Sequence, residues 1–253
     1  MTIPDHPLES AVNRHLGVML ENTVFGFMDG LITNLSVVAG VVAAPNTSLY
    51  SVVVASIAAA FASSVSMFLG AYVSAQTRYK YTMREMAREI REVEEVPEVE
   101  RQEVRDIYLK QGFTPEETEI MVQRVTSDKK LWVQMMMREE LGFGEEEMSP
   151  PTIRRESLVG ISTFLGSVIP LIPFLLVLFL PGLAHLDNLS EGEVSLLGAL
   201  ILSAIGLAII GAFKERFGEG RPLKGALQTL AIGLGGAAIT YILFNIIGYL
   251  LTR

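Results

Sequence analysis

Glutamates recur at helical-turn spacing in the middle of this chain. Glu85, Glu89 and Glu92 stand at i, i+4 and i+7, which puts three carboxylates on one helix face. Glu100 and Glu103 follow at i, i+3, the next turn pair. Glu139 and Glu140 come after Met135, Met136 and Met137, so Met136 and Glu140 share a face. Like charges stacked on one face repel, so a cation among them is stabilising. Oxygen ligands at this spacing suit hard and borderline divalent ions, and a thioether adds some preference for a transition metal. The competing reading is a solvated face: Arg84, Arg88 and Arg91 interleave with the glutamates and can neutralise them, and a Met triplet is more often packing than ligand. One further acid stands apart. Asp29 lies in an apolar stretch, flanked by Gly26, Gly30 and Gly40. A carboxylate at the centre of a bilayer costs about 2.5–3.5 kcal/mol on insertion scales, so function is its default reading. The alternative is a protonated carboxyl, or one bonded to a neighbouring helix. Glu21 and Asn22, two turns earlier, extend a polar track towards one end of the same segment.

Other chemistries are excluded by what is missing. There is no cysteine, hence no thiolate metal site, cysteine nucleophile or redox pair. The histidines are His6, His15 and His185, and none has Glu-x-x-His or His-x-x-x-His spacing. That argues against a ferritin-like di-iron site and against a zincin. No phosphate-binding loop, dinucleotide fingerprint or Ser/His/Asp set is present, so the expectation is a protein that is not an enzyme, with no tightly bound cofactor and no nucleic-acid partner.

The elements that must position these acids follow from how charge and apolarity are segregated. The 253 residues are 50% hydrophobic, with mean hydropathy +0.40, yet 19% are charged and the net charge is −8. Residues 76–155 hold 18 acids and 14 bases, 32 of the 48 charged residues, and leave the rest of the chain nearly free of charge. Positions 30–77 carry no Asp, Glu, Lys or Arg, enough for two crossings of about 20 residues each. The Pro45-Asn46-Thr47-Ser48 cluster divides them into crossings at 16–44 and 49–75. Three more charge-free runs, 157–186, 194–213 and 225–252, bring the count to five. The expected architecture is an all-α membrane protein with a helical insert between the second and third crossings. Its segments are 1–15, 16–75 (helices 1 and 2), 76–155 (the insert) and 156–253 (helices 3 to 5).

Within the insert, a helix continues the second crossing from 77 to about 96, and Pro97 ends it. Further helices are expected over 98–111, from the Thr114-Pro115-Glu116-Glu117 start, and over 131–141. Lys and Arg fall in the loop at 214–224 and beside the insert, and not in those at 45–48 and 181–193. With the N-terminus and insert cytoplasmic, every basic loop lies on one side. The opening residues have no basic n-region, so no cleavable signal is expected, and a prokaryotic inner membrane is the expected location.

Longer motifs bear on identity. Asp29-Gly30-Leu31-Ile32-Thr33 followed by Val37-Val38-Ala39-Gly40-Val41 resembles the first-helix signature of the vacuolar iron transporter family. Ser66-Met67 with Gly70-x-Tyr72-Val73-Ser74 resembles its second helix. Pro97-Glu98-x-Glu100-x-x-Glu103-Val104 and Trp132-Val133-x-x-Met136-Met137-x-Glu139-Glu140-Leu141 match its insert, and Phe164-Leu165-Gly166-Ser167 with Pro170-Leu171-Ile172-Pro173 its third helix. The resemblance implies a homodimeric exporter of Fe(II), with Mn(II) as a second cargo, working in exchange for protons. It implies metal ligands at Glu89, Glu92, Glu100, Glu103 and Glu140, with Met136 and Met137 near the ion, and a path between subunits lined by Asp29 and Met67. The sequence departs from the family where Phe68 replaces a glycine, Ala71 a glutamate, and Asn34 a smaller residue. The loss at Ala71 supports a rival expectation, a non-transporting membrane sensor or scaffold whose acidic insert binds a partner.

Overall fold

The computed structural model describes residues 7–251 except 45, 146, 185–188 and 218–219. His6, His185 and Pro45 lie outside the described residues, as does the side chain of His15. Eight α-helices are described: α1 (Pro7–Ala43), α2 (Leu49–Glu95), α3 (Pro97–Lys110), α4 (Pro115–Thr126), α5 (Lys129–Glu139), α6 (Ile153–Phe179), α7 (Glu191–Phe217) and α8 (Pro222–Leu251). Five of them, α1, α2, α6, α7 and α8, are long and apolar enough to cross a membrane, and the molecule is an all-α membrane protein. Two compact units are present: the chain up to Ala71 together with Ile153 onward, and Tyr72–Thr152. Helix α2 is unbroken over 47 residues and contributes to both.

The first crossing, expected at 16–44, has its membrane-length part at Met19–Ala43, within a helix described from Pro7. The third differs from expectation. The run expected to 186 stops at Phe179, and a single 3-10 turn, Pro181–Ala184, follows. Pro181 has no N–H to donate and biases Leu180 away from the helical region.

In the membrane unit, α1 is the central helix and packs most extensively along α6, then α8 and α7. The reason is a run of missing side chains. A Cβ on Gly30 would collide with the Thr163 backbone, and one on Gly166 with the Phe27 carbonyl, so the α1 and α6 backbones lie in direct contact. Gly160 likewise admits the Ser64 carbonyl of α2, 2.7 Å from where its Cβ would be. The apolar core of this unit is Leu35 and Val38 of α1, Val52 and Val53 of α2, Leu171 and Phe174 of α6, with Ala199 and Ala237 behind them. Pro170 and Pro173 sit inside α6, which remains helical through both.

The second unit is built on a small core of Val93, Val104, Tyr108, Val122, Val125, Trp132 and Val133, completed by Met135, Met136 and Met137. Local chemistry fixes its turns. Helix α3 ends in a glycine-terminated motif: Gly112 takes φ +95°, the Phe113 N–H reaches the Tyr108 carbonyl at 3.2 Å, and the two rings meet edge to face at 5.5 Å. Helix α4 opens with a full capping box between Thr114 and Glu117. Asp128 caps α5, accepting from the Lys130 and Leu131 N–H groups. Gly142, at φ +71°, turns the chain out of α5.

Candidate metal-binding and transport sites

Glu89 is supplied by α2, Glu100 by the first turn of α3, and Glu140 by the C-terminal cap of α5. Pro97 makes the first two neighbours, because it ends α2 and starts α3 within two residues. Glu89 is 1% exposed and Glu100 4%. Each has one carboxylate oxygen, Oε2, that is buried and accepts no hydrogen bond. Burying an unpaired carboxylate oxygen is costly, and the two acids that carry one also feel each other's charge. Glu92 and Glu103 are half-buried and Glu140 is exposed overall.

These five acids form one electrostatic cluster. Burial pushes the Glu100 carboxyl up to about 7, with the Glu103, Glu89, Glu92 and Glu140 charges adding to it. Glu140 is pushed up to about 7 by desolvation and by Glu89 and Glu103, against the opposing Arg88 guanidinium. Glu89 is raised by burial and by Glu92 and Glu103, while Arg88 pulls it down. Near neutral pH, therefore, protons and the Arg88 guanidinium offset the repulsion within the cluster. Among the described residues, no three His, Asp or Glu side chains converge closely enough to hold a metal ion as they stand.

The methionines are placed differently. Met136 and Met137 are fully buried members of the insert core, packed with Val104 and Trp132. Their carbonyls fold the end of α5: Met136 accepts from the Glu140 and Leu141 N–H groups at 3.0 and 3.2 Å, and Met137 from Phe143 at 2.9 Å. The packing role raised from sequence thus holds for both.

In the membrane unit, Asp29 of α1 and Met67 of α2 are each half-buried, and Asp29 has no side-chain hydrogen bond or ion pair among the described residues. A groove of about 340 Å³ runs along the Asp29 face of α1, lined by Ile32, Thr33, Ser36, Val37 and Val41 with Thr240 and Phe244 of α8. Positions 32, 33, 36 and 37 are i+3, i+4, i+7 and i+8 from Asp29, so its carboxyl and these hydroxyls line one helical stripe. That stripe runs from Asp29 towards the turn at 46–48. It was missed in the sequence because Thr240 and Phe244 are more than 200 positions away.

Two further sets of polar contacts were not legible in the sequence. Asn34 ties three helices together: Ser56 Oγ of α2 donates to Asn34 Oδ1 at 3.0 Å, and Asn34 Nδ2 donates to the Ser167 carbonyl of α6 at 2.6 Å. The Ser167 hydroxyl in turn lies 3.1 Å from the Gly30 carbonyl. Glu156, 4% exposed in the first turn of α6, accepts from Arg155 Nε at 2.8 Å. Both are isolated polar letters in apolar or basic surroundings, and only the folded chain reveals their partners.

Comparison with known proteins matches this arrangement to a family. The sequence model of the VIT family matches residues 20–245. The chain is 29% identical over 246 residues to vacuolar iron transporter 1 of Arabidopsis thaliana, covering 97% of this chain and 92% of that one. It is 30% identical over 225 residues to vacuolar iron transporter 1 of Eucalyptus grandis, with 89% and 85% covered. To the vacuolar iron transporter of Toxoplasma gondii it is 33% identical over 224 residues, with 84% and 72% covered. The match runs through all five membrane-length helices and the acidic unit between them, so the chain belongs to the VIT family, a family of transporters and not of enzymes.

Proposed function

We propose that this protein moves a divalent transition metal, Fe(II) first and Mn(II) second, out of the cytosol in exchange for protons. The observation that carries the reading is the gathering of five carboxylates from three helices, two with buried unpartnered oxygens, in a unit attached to five membrane-length helices. Relatives named vacuolar iron transporter supply the cargo. Glu89, Glu92, Glu100, Glu103 and Glu140 collect the ion, with Met136 and Met137 walling the site. Asp29 and Met67 line the path, and the Thr33, Ser36 and Thr240 hydroxyls continue it. Metal and protons compete for the same carboxylates, so a lower pH on the receiving side favours release.

The distribution of Lys and Arg among the loops supports a cytosolic N-terminus and acidic unit, the side from which the proposed export would load metal. The relatives are eukaryotic and named vacuolar, so a prokaryotic inner membrane draws no support from them. The homodimer belongs to the same proposal and draws its support from the family resemblance alone. Vesicles carrying the purified protein and a pH dye test the whole reading. Fe(II) uptake with opposite proton movement is the expected result. Metal binding with no flux of Fe(II), Mn(II), Zn(II) or Co(II) would establish the sensor reading instead.

A further inference from the structure

Arg88 is placed unlike the other arginines of α2. All three guanidinium nitrogens meet a different carboxylate: Nη1 lies 2.8 Å from Glu85 Oε2, Nη2 3.4 Å from Glu89 Oε1, and Nε 3.4 Å from Glu92 Oε2. Arg84 and Arg91 are exposed and have no ion pair among the described residues. Glu89 is therefore split. One oxygen takes the guanidinium, and the other is buried with no partner. A planar fork delivering one N–H to each carboxylate leaves the inner Glu89 and Glu100 oxygens unsatisfied, and a divalent ion would have to draw the carboxylates closer together to reach them. The Arg88 side chain is 44% exposed, so it has an open route away from the cluster.

We propose that Arg88 is the built-in counter-cation of the acidic cluster: it holds Glu85, Glu89 and Glu92 in the metal-free protein and must withdraw for a divalent ion to bind, which sets the affinity threshold. This rests on the reading of the cluster as the metal-collecting site. The arginine does two things at once. It neutralises part of the repulsion that would otherwise open the unit at low metal. It also competes with the incoming ion for Glu89 and Glu92, two of the five acids assigned to the metal. Transport then starts only above the metal concentration that displaces an intramolecular ligand, one present at high effective concentration because it sits on the same helix.

Anaerobic Fe(II) titration calorimetry on the full chain, in parallel with thermal melts, tests this. Arg88→Gln is expected to bind Fe(II) about five- to tenfold more tightly, as the loss of a set of partly exposed ion pairs allows. Arg88→Lys, whose compact ammonium cannot span three carboxylates, is expected to fall between it and the unmodified protein. Arg91→Gln removes the same charge without the contacts and should stay within about twofold of the unmodified protein. Unchanged or weaker binding in both Arg88 variants would overturn the proposal, and so would equal tightening in Arg91→Gln, which would make the effect a general field. The underlying site reading fails separately, if Glu89→Gln combined with Glu100→Gln leaves Fe(II) affinity intact.

Discussion

Glu100 carries the clearest conflict between stability and use. Its ordinary pKa is 4.5 and in the folded protein it stands at about 7, chiefly through burial. A carboxyl raised on folding holds more protons in the native state than in the unfolded state, so native stability falls as pH rises from about 4.5 and levels off above about 7. The metal-free protein is therefore expected to melt at higher temperature at pH 5 than at pH 8. Glu100→Gln, which stays neutral, should remove much of that dependence and stabilise the metal-free protein at pH 8 by on the order of 1–3 kcal/mol. Metal binding has the opposite sign, because ligands must be deprotonated. Fe(II) affinity is expected to drop at least about tenfold from pH 7.5 to pH 5.5, with proton release on binding near pH 7 seen as buffer-dependent heats in calorimetry. An affinity flat across that range would show that Glu100 and Glu140, the two acids raised to about 7, do not touch the ion.

At the scale of elements, the sequence announces helices better than it announces their contacts. Charge-free runs revealed all five spans, and Pro97, Gly112 and the Thr114–Glu117 box marked the insert helices, because caps and breakers act locally. The same logic made the acid spacing legible: one turn of helix is enough to see that Glu89 and Glu92 share a face. The meeting of α2 with α3 and α5 depends on tertiary packing, so the joining of Glu89, Glu100 and Glu140 was available only through family resemblance. The α1–α6 contact was hidden for a related reason. Gly30 and Gly166 look like ordinary membrane-helix glycines until a Cβ at each meets backbone on the other helix. Replacing Gly166 with leucine should force the two helices apart and cost about 1–3 kcal/mol or more. Gly235, with nothing within 4 Å of a Cβ, should accept alanine without loss. Thermal melts of the two variants, with helicity followed by circular dichroism, check the contrast; equal stability would mean that α1 and α6 are not packed backbone to backbone.

At the scale of the molecule, the proposed function predicts separable contributions to flux from an acidic collector and a membrane path. On that proposal the cluster around Glu89 and Glu100, with its unpartnered buried oxygens, sets how much metal is captured, whereas Asp29 and the groove-lining hydroxyls of Thr33 and Ser36 set how fast captured metal crosses. Removing capture should raise the half-saturating metal concentration and spare the maximal rate, since excess metal restores loading by mass action. Removing the path should lower the maximal rate at every concentration. Glu89→Gln with Glu100→Gln is therefore expected to raise the KM for Fe(II) about tenfold or more with the maximal rate within about twofold. Asp29→Asn, close to isosteric, should lower the maximal rate at least about tenfold while Fe(II) binding to the full chain stays unchanged. Asn34 offers a control inside the membrane: it joins α1, α2 and α6 but lies off the Asp29 stripe, so Asn34→Ala should lower the melting temperature more than it lowers flux per folded molecule. Vesicle uptake across a range of Fe(II) concentrations separates the two kinds of effect in one data set. If the carboxylate pair and Asp29 both lowered only the maximal rate, collector and path would be one site, and the division of labour between the two units would be lost.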